Sequence, residues 1–546
     1  MPPGSRSTTT RWRGSSGRWR RVGRRRKGRW GLRLYRAEEM RRADALAAAR
    51  DGGSWPLMAA AGAAVAREVL RRYPGSAAAT VLCGKGNNGG DGYVCATRLF
   101  ERGVAVTVLE VAPVPGTADA RRARAELLAA GVAPGPLEGA RPASLGAADV
   151  IVDALLGSGL TRPVAGPLGE LLAGLHLHGA PVVAVDVPSG VGTDAPRFVG
   201  PHVTASVTVE LAGRKPAGAF HPTRGAYGEQ VLADIGMPAD VLAACGEIVL
   251  LGAADAAAWL PRRSPDANKY SVGTVTVVGG SAAYAGAAEL ACRGAWRAGA
   301  GLVTLVGPAR HPAAWPETIF VELAPLGGTA ALTPGQTATM VTDLAAAWVA
   351  KRAAATVIGP GLDERLLPLL PELLRLAPGP AVLDAAALRP AAWPEPARAA
   401  LRERGRAVMT PHAGEAAALL DRPVSEVVGD PLAAAGRLAE AFGATVVLKG
   451  PTTVVRAPGG AVAVSERGHP AMATGGTGDV LAGVVGALVA APGGDDDPFS
   501  RTCAAVWLHG VAGELAAASS GAGLTAGDLA EALPRAAALA GVAETN

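Results

Sequence analysis

Short apolar runs that end in a glycine- or aspartate-containing turn recur along the chain. They occupy residues 79–83, 105–111, 150–152, 182–185, 274–278, 302–306, 355–358, 381–383, 407–409 and 445–448. Apolar residues at helical spacing separate them, and residues 35–70 read as helical before the first run. Strands that alternate with helices predict parallel sheets. At 546 residues the chain is long enough for two such units, so we predict an α/β protein of two domains.

The net charge of +6 originates in the first 33 residues. They contain eleven Arg, one Lys and no acid, and without them 41 basic residues stand against 47 acidic ones. The remainder is mildly acidic, which argues against a nucleic-acid groove. We predict that residues 1–33 are either a basic, disordered leader or the product of an upstream start codon in an Arg-rich genome, and we favour the second interpretation.

The five cysteines are scattered and lack the spacing of a metal site: Cys83, Cys95, Cys245, Cys292 and Cys503. Their odd number and wide spacing predict a reduced, cytoplasmic compartment. No apolar run reaches the roughly 18 residues that a membrane span needs. We therefore expect neither a membrane nor a nucleic acid among the partners.

The stretch Thr-Gly-Gly-Thr-Gly-Asp-Val-Leu at residues 474–481 joins a glycine-rich turn to an apolar helical pattern. Converging backbone N–H groups at a helix N-terminus bind phosphates. Asp479 would then face the reacting centre, where repulsion excludes a carboxylate that has no chemical role. The alternative is structural, with Asp479 acting as the N-cap of a helix.

A second glycine-rich turn, GKGNNGGDG, occupies residues 84–92 between a predicted strand and a predicted helix. It matches G-x-G-x-x-G, and Glu110 follows about 20 residues later, so a dinucleotide-binding turn is the first hypothesis. However, Asn87 and Asn88 are bulkier than a phosphate turn requires, and Asp91 adds negative charge. Amide and carboxylate oxygens suit a hard cation or a hydroxyl-bearing ligand instead.

Two further strand ends in the first half deliver polar groups. Asp153 follows residues 150–152, and Asp186 and Ser189 follow residues 182–185. Ligands of open α/β sheets bind at the carboxyl ends of the strands, so we expect these side chains to converge with the first turn. One such Asp is commonly a turn former or a helix cap, but three converging strand ends predict a binding site.

The segments GKGNNGGDG, VDALLGSGL and VDVPSGV resemble the NAD(P)H-hydrate epimerase (YjeF N-terminal) family. The resemblance implies a Rossmann-like α/β/α sandwich that epimerises hydrated NADH or NADPH at C6, with Asp186 as candidate acid/base. It implies a potassium ion at Asn88, Asp153 and Ser189. It also implies substrate contacts at Asn87, Asn88, Gly89, Gly90, Asp91, Gly157, Ser158, Gly159, Leu160, Thr161, Arg162, Pro163 and Asp186.

The second half contains no G-x-x-x-x-G-K-[ST] motif, so a nucleotide would be held by a helix N-terminus and nearby strand ends. Lysine is scarce, with six Lys against 47 Arg in the chain. Four of the six fall in or beside glycine- or proline-containing motifs: Lys85, Lys215, Lys269 and Lys449. Such a lysine marks either a compact charge on a phosphate or an ordinary solvated surface residue.

The segments GTVTVVGGSAAYAGAAELA, IGPGL, TPHAGE, LKGPTTVV and MATGGTGDVLAG resemble, in this order, the ribokinase-like ADP-dependent (S)-NAD(P)H-hydrate dehydratase family. The resemblance implies a ribokinase-like α/β/α domain with substrate contacts at Ala287, Gly361, His412 and Asp479. It implies nucleotide contacts at Lys449, Gly450, Pro451, Thr452, Thr453, Gly475, Gly476 and Gly478. The chain departs from the family pattern at Asn268, Ala386 and His469, where His, Asp and Asn are usual, so Asp384 stands without the second acid of its motif.

We place the epimerase domain at residues 34–244 and the dehydratase domain at residues 245–546. No long Gly/Ser linker separates them, so we expect the two domains to pack together. Both would act on small molecules, and we expect a homo-oligomer.

The expected chemistry is repair of a hydrated nicotinamide ring at the expense of ADP, giving AMP and phosphate. Hydroxide is a poor leaving group, so the hydroxyl is first made a phosphate ester. Asp479 would take its proton, the β-phosphate of ADP would be attacked, and turn N–H groups would stabilise the charge, with Mg²⁺ on the phosphates. The epimerase half would convert the R epimer into the usable S epimer.

Two alternatives stay open at this point. A ribokinase-like small-molecule kinase fused to an epimerase-like domain would use the same motifs on another acceptor. The first domain would otherwise be a non-enzymatic binding module, although the intact Asp186, Asp153, Asn88 and Ser189 argue against that.

Overall fold

The structure is a computed structural model that describes residues 32–160, 162–323, 332–493 and 498–542. Most of the predicted leader at residues 1–33 lies outside the described residues, as does Thr161 of the predicted substrate-binding set. No helix in these ranges is both long and apolar enough to cross a membrane.

The first half of the chain alternates strands and helices after a short N-terminal strand. Its elements are β1 (Arg33–Leu34), α1 (Ala37–Asp51), α2 (Trp55–Arg72), β2 (Ala78–Cys83), α3 (Asn87–Phe100), β3 (Ala105–Glu110), α4 (Ala118–Ala129), β4 (Gly135–Pro136), β5 (Val150–Ala154), α5 (Gly166–Gly174), β6 (Val182–Val185), β7 (Val207–Leu211), α6 (Pro216–Ala219), α7 (Arg224–Tyr227), β8 (Glu229–Ala233) and α8 (Ala239–Cys245).

Strands β2 to β8 form a seven-stranded sheet in the order β4-β3-β2-β5-β6-β7-β8. All six neighbouring pairs are parallel. Strands β5 and β6 are buried along their whole length, as expected where helices cover both faces of a parallel sheet. The strand order reverses between β2 and β5, which is the Rossmann-like switch point where ligands bind.

The second half contains more elements of the same kind. They are β9 (Ile248–Leu250), α9 (Ala253–Trp259), β10 (Thr274–Val278), α10 (Ala285–Arg297), β11 (Leu302–Gly307), β12 (Ile319–Glu322), α11 (Pro334–Lys351), β13 (Ala355–Ile358), α12 (Leu370–Leu376), β14 (Ala381–Leu383), α13 (Glu395–Arg404), β15 (Ala407–Met409), α14 (Ala413–Leu420), α15 (Val424–Gly429), α16 (Pro431–Phe442), β16 (Thr445–Leu448), β17 (Thr453–Arg456), β18 (Val462–Ser465), α17 (Thr477–Ala490), α18 (Phe499–Ser520) and α19 (Ala526–Val542).

These strands and β1 form an eleven-stranded sheet in the order β1-β9-β18-β17-β16-β15-β14-β13-β10-β11-β12. The stretch from β12 to β16 is parallel, whereas β16, β17 and β18 pair antiparallel. This sheet has its own switch point, between β10 and β13. Large apolar clusters lie on its two faces, so each domain has a core of its own.

The predicted fold class is confirmed, with two parallel α/β units in chain order. Six predicted strands have the predicted bounds: residues 182–185, 274–278, 355–358, 381–383, 407–409 and 445–448. The other four differ by one or two residues at one end. Leu34, the first residue of the predicted first domain, pairs with Ile248 in the second sheet.

The two domains pack directly against each other, as the absence of a long linker predicted. Arg214, after β7, donates to both carboxylate oxygens of Glu466 at 2.6 and 3.0 Å. The hydroxyl of Thr452 donates to the carbonyl of Ala219 at 2.6 Å. Phe220 and Ala219 are buried in the apolar cluster of the second sheet, so the junction is both apolar and polar.

Helices α10 and α17 approach each other closely through two glycines. A Cβ on Gly294 would overlap the carbonyl of Val480, and a Cβ on Gly483 would overlap the carbonyl of Ala291. This approach explains the small-residue pattern of α10. It also fixes the position of α17, whose N-terminus carries the glycine-rich turn at residues 474–478.

We predict that Gly483→Ala destabilises the second domain, although alanine favours helices. The added methyl group overlaps a backbone atom that cannot rotate away, and overpacking of this kind costs about 1–3 kcal/mol of unfolding free energy. The measurement is urea denaturation together with the thermal midpoint.

The matched control is Gly335→Ala in α11, where a Cβ meets nothing within 4 Å. Its effect is expected to be neutral or a gain of up to about 1 kcal/mol. Equal midpoints for the two variants would contradict the close approach of α10 and α17.

Candidate active sites

A cleft of about 910 Å³ opens at the switch point of the first sheet. Ten residues of the predicted substrate-binding set line it: Asn87, Asn88, Asp91, Gly157, Ser158, Gly159, Leu160, Arg162, Pro163 and Asp186. Gly89 and Gly90 are instead buried in α3, where a Cβ would overlap the carbonyl of Gly84 or lie 2.6 Å from Met58 Cε. They therefore allow close packing under the turn and do not form the wall of the cleft.

Two of the three predicted potassium ligands are joined directly. The carboxylate of Asp153, at the end of β5, accepts hydrogen bonds from the backbone N–H and the hydroxyl of Ser189 at 2.8 and 2.6 Å. Burial raises the pKa of Asp153, and the Ser189 hydrogen bonds oppose that shift. Neither residue lines the cleft, but the backbone N–H of Leu156, which does line it, donates to the Ser189 hydroxyl at 2.9 Å.

Asn88, the third predicted ligand, lies against Gly157 in the loop after β5. A Cβ on Gly157 would come within 3.2 Å of the Asn88 amide carbon. Its Nδ2 atom is buried and has no hydrogen-bond partner among the described residues. Buried polar groups are normally paired, so this amide is a site where a ligand fits.

Asp186 is held in place by a lysine outside the predicted site. The backbone of Asp186 has a positive φ of 65°, and its Oδ1 accepts from the backbone N–H of Leu211 at 3.0 Å. Lys215 forms an ion pair with the same oxygen. Its Nζ also donates to the carbonyls of Leu211 and Gly213 at 3.1 and 2.8 Å, and the residue is 1% exposed.

Two further carboxylates surround this pair. Asp91 is buried, and burial, followed by repulsion from Asp186 and Asp44, raises its pKa well above the usual value. Asp44 on α1 lines the cleft, and burial followed by the charge of Asp186 raises its pKa to about 6, against the opposing effect of Lys215. The first site is therefore a cluster of three acids and one lysine.

The second site lies at the head of α17. Gly476, with a φ of 92°, precedes the helix, and a Cβ there would lie 2.5 Å from Leu290. Asp479 is the third residue of the helix, and burial raises its pKa to about 7. Asp384 and Glu415 add repulsion, and Lys449 opposes the shift.

Lys449 connects the strand ends with this helix. Its Nζ lies 2.9 Å from Asp384 Oδ1 and 4.0 Å from Glu415 Oε2, and a Cβ on Gly478 would lie 3.2 Å from it. Burial lowers the pKa of Lys449, but Asp384 and Glu415 outweigh burial and raise it overall. The lysine predicted to contact a nucleotide is thus the counter-charge of an acidic group.

Two of the predicted substrate contacts, Gly361 and His412, follow strands of this sheet, and the third, Ala287, lies in α10. Gly361, after β13, has a φ of 60°, and a Cβ there would overlap the carbonyl of Tyr284 just before α10, which carries Ala287. His412, after β15, caps α14, because its Nδ1 accepts from the N–H groups of Gly414 and Glu415 at 3.0 and 3.2 Å.

The predicted nucleotide contacts occupy two segments. Gly450, Pro451 and Thr452 connect β16 with β17, and Thr453 is the first residue of β17. The hydroxyl of Thr452 is used by the domain junction, so only its backbone stays available for a nucleotide. Gly475 stands in open space, where a Cβ would meet nothing within 4 Å.

Comparisons with known proteins assign the two halves of the chain to two different families. The family described as YjeF-related protein N-terminus matches residues 54–217, and the family described as NAD(P)H-hydrate dehydratase matches residues 275–535. The bifunctional NAD(P)H-hydrate repair enzyme Nnr of Pyrobaculum aerophilum is 36% identical over 88% of this chain and 93% of its own length. The chain belongs to the family of bifunctional NAD(P)H-hydrate repair enzymes.

Other relatives are similar at the same level. The repair enzyme of the same name from Escherichia coli K12 is 33% identical over 92% of this chain and 93% of its own length. Among solved structures, the ADP/ATP-dependent NAD(P)H-hydrate dehydratase of Bacillus subtilis co-crystallised with ATP/Mg²⁺ is 29% identical, with a TM-score of 0.44. It covers 53% of this chain and 97% of that one.

Two charged residues of this repair enzyme's first site were absent from the predicted set. One feature of the sequence pointed to Lys215: lysine is scarce in the chain, and Lys215 lies beside a motif segment. This feature did not distinguish a buried ion pair from an ordinary surface residue. Asp44 had none, because it lies in an ordinary amphipathic helix and approaches Asp186 only in the folded chain.

We predict that Lys215→Met strongly destabilises the first domain of the repair enzyme. Removing one partner of a buried ion pair leaves the other uncompensated and costs about 3–5 kcal/mol. Denaturation followed by circular dichroism gives the change. The double variant Lys215→Met/Asp186→Asn is expected to recover part of that loss, since it removes the unpaired charge as well.

Lys85→Met is the matched control for stability. Lys85 is an exposed lysine at the same cleft, and its replacement is expected to change the unfolding free energy by at most about 0.5 kcal/mol. If Lys85→Met and Lys215→Met cost the same, the ion pair with Asp186 is not what stabilises this region.

Proposed function

We propose that this chain repairs hydrated NADH and NADPH in two steps. The first domain interconverts the R and S epimers at C6, and the second dehydrates the S epimer with ADP, releasing AMP and phosphate. The observation that carries the proposal is the presence of two separate charged sites, one at strand ends of each sheet, within a family of bifunctional repair enzymes. Each site contains the acid that its predicted reaction needs, Asp186 in the first and Asp479 in the second.

In the second site we assign proton removal to Asp479. Its pKa of about 7 is close to neutral pH, where a general base is most effective. Asp479 takes the proton from the C6 hydroxyl as the oxygen attacks the β-phosphate of ADP. The turn N–H groups at Gly475, Gly476 and Gly478, and the ammonium group of Lys449, stabilise the negative charge on the transferred phosphoryl group.

The phosphate ester then loses phosphate to give the dihydropyridine. The lone pair of N1 displaces phosphate from C6, and loss of a proton from C5 forms the C5–C6 double bond. Ala287 in α10, Gly361 after β13 and His412 after β15 are proposed to hold the hydrated ring. The backbone of Lys449, Gly450, Pro451, Thr452 and Thr453 is proposed to hold the AMP part of the nucleotide.

Mg²⁺ would neutralise phosphate charge when it is bound with the nucleotide. Asp384 and Glu415 offer carboxylate oxygens near Lys449, but the described residues contain no cluster of three His, Cys, Asp or Glu that would hold a metal unaided. We therefore propose that Mg²⁺ arrives with the diphosphate, which supplies most of its ligands.

In the first site, Asp186 is proposed as a catalytic residue that contacts the C6 hydroxyl. Asn88, Asp153 and Ser189 are proposed to hold K⁺ through their side-chain oxygens, which are the donor atoms that such a cation prefers. A bound K⁺ would supply positive charge beside the buried Asp153.

A cytoplasmic location and a homo-oligomeric state complete the proposal. The five cysteines are buried, which favours a reducing compartment. Sedimentation velocity tests the oligomeric state, and a monomer at micromolar concentration would contradict it.

We predict that Asp479→Asn abolishes ADP-dependent recovery of the dihydronicotinamide absorbance from the S hydrate. Conversion of R to S without ADP is expected to continue at the wild-type rate. The wild-type dehydration rate should rise about tenfold per pH unit below pH 7 and level off above it, because the base works only when deprotonated.

The matched control is Asp528→Asn, which also removes a carboxylate from the first turn of a helix, α19. It is expected to dehydrate at the wild-type rate. Wild-type protein that recovers no absorbance with ADP or ATP would contradict the dehydratase proposal. Near-normal dehydration by Asp479→Asn would contradict only the choice of base.

A further inference from the structure

A carboxylate that no motif marks lies in the cleft of the first domain. Asp44 and Met40 are one helical turn apart on α1, and both line the cleft that Asp186 lines. The Asp44 side chain reaches solvent through the cleft, while the protein around it removes enough water from the carboxylate to raise its pKa. No donor of the described chain lies within hydrogen-bonding distance of its carboxylate.

The other two carboxylates of the cluster are already engaged or enclosed. Asp186 accepts from Lys215 and from the backbone of Leu211, and all three N–H groups of Lys215 have acceptors. Asp91 is buried within α3. Asp44 is therefore the acid of this cluster that is free to exchange a proton with a molecule in the cleft.

The epimerised carbon requires such an exchange. C6 of the hydrate carries a hydroxyl group and is bonded to N1, so it is a hemiaminal. Opening the ring breaks the C6–N1 bond. The O–H electron pair becomes the second C–O bond of an aldehyde, and the C6–N1 pair takes up a proton at N1. Rotation about the C5–C6 bond and attack of N1 on the other aldehyde face give the opposite epimer.

We propose that Asp44 is a catalytic residue of the epimerase site, which carries the hydroxyl proton to N1 on ring opening and returns it to oxygen on closure. One carboxylate balances the step, because the proton lost by oxygen is the proton gained by nitrogen. Asp186, fixed by Lys215, then accepts a hydrogen bond from the hydroxyl and orients it. This assignment rests on the proposed epimerase function and moves proton transfer from Asp186 to Asp44.

The electrostatic surroundings suit that role. The groups that face Asp44 are Asp186 and Lys215 at the strand ends, Asp91 on α3, and Arg41 on its own helix. The raised pKa of about 6 leaves Asp44 mostly deprotonated at neutral pH yet easily protonated. A proton carrier needs both states within reach.

The test compares Asp44→Asn, Asp44→Glu and Glu38→Gln in the full-length enzyme. Pure R hydrate without ADP is incubated and the S epimer is measured by chromatography. We expect Asp44→Asn to lower kcat for epimerisation by about 100-fold or more, and Asp44→Glu to retain more activity than Asp44→Asn. Glu38→Gln, an exposed acid of the same helix outside the cleft, should match the wild type.

Two further readouts separate catalysis from folding and binding. Dehydration of the S hydrate with ADP by Asp44→Asn should stay within about twofold of wild type, which shows that the protein is folded. Wild-type epimerisation should fall below pH 6, where Asp44 is protonated, and the residual rate of Asp44→Asn should not follow that curve.

Epimerisation by Asp44→Asn within about threefold of the wild-type rate would overturn the assignment, as would an increase in KM alone with kcat unchanged. Failure of the wild-type enzyme to epimerise the R hydrate would instead overturn the epimerase function itself.

Discussion

A lysine that pairs with an aspartate at a strand end is the interaction on which both active sites depend. Lys215 pairs with Asp186 in the first domain, and Lys449 pairs with Asp384 in the second. Beside each pair stands another carboxylate with a raised pKa, about 6 for Asp44 and about 7 for Asp479.

The same balance of forces produces both raised values. Burial is the largest cause in each, and the paired aspartate adds repulsion. The lysine opposes both effects, so it keeps the acid near the pH at which it can work. Without that counter-charge, the pKa of each acid would be higher still.

Lysine suits these positions better than the arginine that the chain uses almost everywhere else. Lys215 reaches a carboxylate and two carbonyls that converge on one atom, which three rotatable N–H groups satisfy. A planar guanidinium presents its donors in a fixed fork and needs more room. For Lys215, the choice of lysine therefore reflects the geometry of its acceptors.

The sequence predicted the features that depend on local order. Strand bounds followed from apolar runs, and the turns at residues 84–92 and 474–478 lie where their glycines indicated. Gly89, Gly90 and Thr452 show where this reasoning ends: the glycines serve packing against Gly84 and Met58, and the threonine hydroxyl serves the domain junction. The role of Asp44 could not be predicted from the sequence either, because Asp186 and Lys215, which surround it in the fold, are distant in the chain.

The domain junction and the active sites share the same short segments. Arg214 directly precedes Lys215 and directly follows Gly213, whose carbonyl accepts from Lys215, and the Arg214 guanidinium binds Glu466 of the second domain. Thr452 lies three residues after Lys449 and binds Ala219, at the end of the helix that follows Lys215. The backbone that positions each lysine is thus anchored partly by the other domain. Fusion of the two activities in one chain therefore gives each site part of its rigidity, in addition to keeping the two reactions together.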